Sequence, residues 1–120
     1  MEGLSGLSYI DKTIEGIPTN KETRDQVTLS SWTDRVYLNT PDQLTINNVT
    51  QEGGKLLFSK TNLPDTVVWN PWEAMASGMG DLGGENWSGF ICVEAGQCVT
   101  PVVLQPGQHW SASHKLEYSV

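Results

Sequence analysis

The sequence predicts an all-β protein, a sandwich or barrel, and three observations carry that expectation. Short runs of β-branched and aromatic residues recur along the chain, clusters of Gly, Pro, Asn and Asp separate them, and helical periodicity is confined to one brief stretch. Five Trp, three Tyr and two Phe in a chain with 38% hydrophobic residues supply the large apolar side chains that a packed core needs. At 120 residues the chain is expected to form one domain or part of one, burying roughly two thirds of its unfolded surface.

The candidate strands, in order, are Gln26 to Ser30, Arg35 to Leu38, Leu44 to Asn47, Lys55 to Ser59, Thr66 to Trp69, Trp87 to Glu94, Cys98 to Leu104 and His109 to Tyr118. Pro101 cannot donate to a ladder, so its run is expected at a sheet edge or a bulge. One helical turn interrupts the series. Asn70 suits the N-cap, Pro71 the first helical position and Glu73 the capping box; Trp72, Met75, Ala76 and Met79 fall at helical spacing, and Gly78 and Gly80 end the turn. Gly78 to Gly83 formally matches G-x-G-x-x-G, but that fingerprint works between a strand and a helix of a βαβ unit. Here the glycines follow a helical turn and read as a loop.

A net charge of −7, with only Arg24 and Arg35 as guanidinium donors, argues against a nucleic-acid partner, because phosphate contacts demand clustered cations. Residues Met1 to Leu7 do not resemble a secretory signal, and no apolar stretch is long enough to span a bilayer. A cytoplasmic location without a membrane partner is therefore expected. In that setting Cys92 and Cys98 are expected to stay reduced, and the sequon Asn48-Val49-Thr50 to stay unmodified. His109 and His114, five apart, would point to opposite faces of a strand and could not share a metal. No nucleophile elbow and no Cys-His zinc spacing is present.

Two acids stand out. Glu94 lies in the apolar run Phe90-Ile91-Cys92-Val93-Glu94-Ala95, which reads as a buried strand with Phe90, Cys92 and Glu94 on one side. Burial without a partner would raise its pKa toward the range a general base requires; the alternative is a strand end that reaches solvent or a structural hydrogen bond. Asp34 lies in Trp32-Thr33-Asp34-Arg35-Val36-Tyr37-Leu38, where polar residues give way to a strand. Locally it reads as an Asx-turn or as the partner of Arg35.

Several segments, in order, resemble the C-terminal half of the hexose-6-phosphate mutarotases, also called glucose-6-phosphate 1-epimerases, of the aldose 1-epimerase superfamily. They are Thr33-Asp34-Arg35-Val36-Tyr37, Val67-Val68-Trp69-Asn70-Pro71-Trp72, Asp81, Cys92-Val93-Glu94-Ala95 and Leu104-Gln105-Pro106-Gly107-Gln108-His109-Trp110, preceded by Gly6-Leu7-Ser8-Tyr9-Ile10-Asp11-Lys12. The resemblance covers nearly the whole chain. It implies half of a β-supersandwich of the galactose mutarotase type, with residues 1–120 as one partial domain, and an activity that interconverts the α and β anomers of a hexose 6-phosphate. Glu94 would be the general base and Asp34 a sugar-binding residue. Trp69 and Trp72 would form an apolar wall or pack the helical turn against the sheet. No metal and no cofactor is implied.

The family's general-acid histidine and phosphate-binding arginines belong to its N-terminal half, and neither His109 nor His114 lies in the matching motif. The 120 residues are thus expected to be a fragment, a truncated product, or a protomer that restores the missing face by self-association through exposed strand edges. Three functional readings follow: an epimerase holding the base but not the acid, a noncatalytic sugar-binding module, and a structural β-sandwich module in which both acids are incidental.

Overall fold

A computed structural model describes residues 1–120 as two antiparallel sheets whose apolar faces meet in one core. In chain order the strands are β1 (Ser8–Asp11), β2 (Thr19–Lys21), β3 (Thr33–Tyr37), β4 (Gln43–Thr50), β5 (Gly53–Thr61), β6 (Asp65–Asn70), β7 (Cys92–Gly96) and β8 (Ser113–Ser119). A short helix, α1 (Trp72–Ala76), and a 3-10 turn (Asn86–Gly89) fill the β6–β7 connection. The larger sheet has the order β2-β1-β3-β6-β7 and the smaller β4-β5-β8. No helix is long and apolar enough to cross a membrane.

Alternation along each strand decides which side chains enter the core. From the larger sheet come Tyr37 and Val68, with Tyr9, Val93 and Ala95 packed beside them; from the smaller come Leu44, Ile46 and Phe58, with Leu56. Full burial of such side chains stabilises by about 1.5–3 kcal/mol each. The β4–β5 connection turns through Asn48 and Gly53, both at positive φ, around a register shift between Asn47 and Thr50. Gly54 is needed for a different reason: a Cβ there would lie 2.7 Å from the Tyr118 hydroxyl, so glycine lets Tyr118 lie across β5.

The all-β expectation holds, but several elements differ. Gln26 to Ser30 is no strand; Gln26 makes only an isolated bridge to Glu2. Trp87 to Glu94 divides into the 3-10 turn and β7, because Asn86–Gly89 closes locally and pairing with β6 begins only at Cys92. Cys98 to Leu104 has β-type side chains but pairs with nothing: Val99, Val102, Val103 and Leu104 are all exposed, and Pro101 lies in their midst. His109 lies in exposed irregular chain, and the last strand starts only at Ser113. β1 and β2 are additional; the three residues Thr19-Asn20-Lys21 contain no apolar side chain to announce a strand.

Charged groups brace the core-facing side of β1 and β3. The buried Glu22 accepts from Arg24 through both carboxylate oxygens at 2.8 Å and from the Tyr37 hydroxyl at 2.7 Å. Arg35 lies 3.5 Å from Asp11, 3.8 Å from Glu22 and 4.5 Å above the Tyr9 ring. Arg24, more than burial opposes, holds the Glu22 carboxyl down at about 2, and burial with the Glu22 contact pushes the Tyr37 phenol up to about 12.

Because the folded value for Glu22 lies below its ordinary 4.5, its contribution to stability is complete above pH 4.5 and is lost as pH falls through about 2. Urea midpoints of the wild-type chain should fall across that window, and Glu22→Gln should flatten that part of the profile while lowering stability near neutrality. An unchanged slope in the variant would show that another carboxylate carries the acid sensitivity.

Candidate functional site

β6 lies between the strands that carry the two candidate acids. Asp34 on β3 pairs with Trp69, and Val67 pairs with Glu94 on β7. Directly paired residues share a sheet face, as do residues two apart on a strand, so Asp34, Val67, Trp69, Cys92 and Glu94 all lie on the face turned away from the sandwich core. Their register sets the Cα atoms of Asp34 and Glu94 roughly 12 Å apart, two strands across and two residues along. At that spacing the carboxylates cannot touch each other and leave room for a small ligand above Trp69 and Val67.

The surroundings of the two acids differ. Asp34 is partly shielded and lies 3.5 Å from the Lys12 ammonium, while the Lys12 backbone N–H donates to the Asp34 carbonyl at 2.8 Å. The expected local partner, Arg35, points to the other face and pairs with Asp11 instead. Glu94 is exposed on the edge strand β7, and its carboxylate makes neither a hydrogen bond nor an ion pair within the chain. The expectation of a buried carboxylate is therefore corrected: β7 has a partner on one side only, so its apolar run is half-buried rather than enclosed. Burial and then the Glu94 charge push the Cys92 thiol up; burial, Asp65 and Glu94 do the same to Cys98, with Lys12 acting in opposition. Both thiols are free.

The chain has two cavities, and neither includes Asp34 or Glu94. One of about 580 Å³ opens on the core side among Leu56, Phe58, Ile91, Val93 and Leu116. The other, about 420 Å³, lies beyond the end of β7. The Asp34–Glu94 face is open surface. His114, on the smaller sheet, packs its ring 4.5 Å from Phe58, away from the two acids. No group of three or more His, Cys, Asp or Glu side chains has metal-ligand spacing.

The buried Asn70 organises the end of this face. Its amide N–H groups donate to the carbonyls of Trp87 and Phe90, both at 2.8 Å, and its oxygen accepts from the Trp72 N–H at 2.9 Å. The last contact is a local turn at the end of β6 rather than the expected N-cap: the capping position is Pro71, no side chain caps α1, and Glu73 completes no box. Trp72 is held at φ +57, a left-handed conformation costing roughly 1–2 kcal/mol. Its ring packs on Trp87 at 4.4 Å, whereas Trp69 lies 6.0 Å from Phe90. Only Trp69 therefore borders the acids; Trp72 anchors the connection. Lys12 escapes notice in the sequence because a basic residue after a strand becomes a partner of Asp34 only once the β1–β3 register is known.

Comparison with known proteins adds to this geometry. Residues 1–117 match the family model described as aldose 1-epimerase. A protein of Cenchrus ciliaris named "Putative glucose-6-phosphate 1-epimerase" is 34% identical over 111 residues, covering 92% of this chain and 33% of that protein. One of the same name from Escherichia coli (strain K12) is 34% identical over 93 residues, covering 76% of this chain and 31% of that protein. The chain spans about a third of the length of the curated relatives it matches.

Replacing Asn70 by Ala should orphan two carbonyls and the Trp72 N–H, at a cost of about 2–4 kcal/mol in chemical denaturation. A loss below about 1 kcal/mol would mean that the β6–β7 connection does not rest on this side chain.

Proposed function

The chain belongs to the aldose 1-epimerase family, and we propose that it carries the general base and a sugar-binding acid of a hexose-6-phosphate 1-epimerase. Glu94 takes the proton from the C1 hydroxyl while an acid protonates the ring oxygen. The ring then opens to an aldehyde, whose carbonyl can be attacked from either face. Asp34, steadied by Lys12, accepts hydrogen bonds from sugar hydroxyls, and Trp69 gives the ring an apolar floor. The observation that carries this reading is the common face given to Asp34 and Glu94 by their pairing with β6. The names of the relatives support the choice of hexose 6-phosphate as substrate. The exposed position of Glu94 leaves its carboxylate open to a ligand on that face.

The exposure of Glu94, outside either cavity, favours a second reading for these 120 residues alone: sugar binding with little or no turnover. The acid and the phosphate clamp of the family would then come from residues outside this chain, and without them both transition-state stabilisation and positioning are lost.

Anomer exchange of glucose 6-phosphate, followed by NMR, tests the proposal. The amides of Asp34, Trp69 and Glu94 should shift on titration, and any rate above the spontaneous one should fall by roughly 10²–10⁴-fold in Glu94→Gln. A catalysed rate that survives this substitution, or shifts that avoid this face, would overturn the assignment.

The open edges β7 and β8 would also allow self-association, since Leu116 and Tyr118 on β8 are each more than half exposed. Sedimentation velocity over rising concentration should show a second species; a single monomer boundary throughout would remove this partner.

A further inference from the structure

The 420 Å³ cavity beyond β7 is lined by Asp42, Thr61, Asn62, Gln97 and Trp110 against a wall of Leu63 and Pro64. We propose that it is a second binding site, one for a neutral pyranose ring. The inference stands on the lining of this cavity and not on the roles of Asp34 and Glu94.

Three independent contacts hold the walls in place. The Lys60 side chain is almost wholly buried, and its ammonium donates to the carbonyls of Thr40 at 3.1 Å and Leu63 at 2.5 Å, tying together the two loops beneath the cavity. The Asn62 amide donates to the Ser111 carbonyl at 2.9 Å, which fixes the chain beside Trp110. Gln97 donates to the Thr100 carbonyl at 2.5 Å, closing the third side. A site built in this way loses little freedom when a ligand enters, which favours binding even where the contact area is small.

The chemistry left unused selects the ligand. The side-chain oxygens of Asn62 and Gln97 accept no hydrogen bond within the chain, the Thr61 hydroxyl has no side-chain partner, and Asp42 is a largely exposed carboxylate. This surplus of acceptors calls for a ligand rich in hydroxyl donors. Trp110, 43% exposed, offers a flat apolar face with a negative quadrupole, which matches the weakly positive C–H face of a pyranose. A phosphate would meet the Asp42 carboxylate and no free cation. A cationic ligand is disfavoured because the buried Lys60 ammonium, 4.0 Å away, already offsets the Asp42 charge, and a single indole makes no aromatic cage.

The test uses the full 120-residue chain, labelled with ¹⁵N and titrated with methyl β-glucopyranoside, whose blocked C1 hydroxyl bars it from anomer exchange. The Trp110 indole N–H and the Asn62 and Gln97 side-chain amides should shift in a saturable way, with an affinity on the order of millimolar for so open a site. These shifts should vanish in Trp110→Ala, persist in Trp110→Phe and be unaffected by Asp34→Asn; glucose 6-phosphate should move the same resonances more weakly. Absence of saturable shifts would overturn the proposal, as would stronger binding of choline at the same resonances. Loss of the shifts in Asp34→Asn would show that the sugar binds the epimerase face instead. Failure at Trp110 leaves the assignment of Glu94 standing, and failure of anomer exchange leaves this site standing.

Discussion

The register of β6 is the constraint on which the rest of the structure depends. Thr66 and Val68 are completely buried on its core side, while Val67 and Trp69 face outward between Glu94 and Asp34. A slip of one residue would exchange these sets, exposing Val68 and driving Trp69 into a space shaped for a valine. Polar residues pin both ends of the strand. Asp65 accepts from the N–H groups of Asn39, Cys98 and Val99, and Asn70 ties the other end to Trp72, Trp87 and Phe90. Each of these anchors would have to break for the strand to shift. The geometry of the two acids is therefore inherited from the packing of a strand that carries neither of them.

Charge is divided between the two faces of the larger sheet. Both guanidinium groups of the chain belong to the core-facing side, where Arg24 and Arg35 neutralise Glu22 and Asp11 and brace Tyr9 and Tyr37. On the outer face, Lys12 is the cation beside Asp34, and it does not balance Asp34 and Glu94 together. A phosphate on that face would find no guanidinium to grip.

Much of the fold was legible in the sequence. The central strands β3, β4, β5 and β6 announce themselves because alternating β-branched residues lie between turn residues, whereas the helix cap misled, since Asn70 ends β6 and Pro71 takes the capping position. The segments that misled are those whose structure depends on a distant partner. Val99 to Leu104 has the composition of a strand but no neighbour to pair with, and Thr19–Lys21 has no strand composition yet pairs with β1. Glu94 shows the same limit. An apolar run around an acid reads as burial, and only topology shows that β7 is an edge. The two acids are singled out only by several ordered motifs together, since locally Asp34 reads as a partner for Arg35, a residue that in the fold points to the opposite face. The Trp110 site was illegible for a simpler reason: its lining comes from four separated stretches of chain.

The most direct test of this account is the strand register itself, read from NMR contacts across β6 in the labelled chain. Nuclear Overhauser effects should link the backbones of Asp34 and Trp69, and of Val67 and Glu94, placing both acids on the outer face. Contacts from Glu94 to Thr66 or Val68 would instead turn its side chain into the core, and the account of a shared sugar-binding face would be wrong.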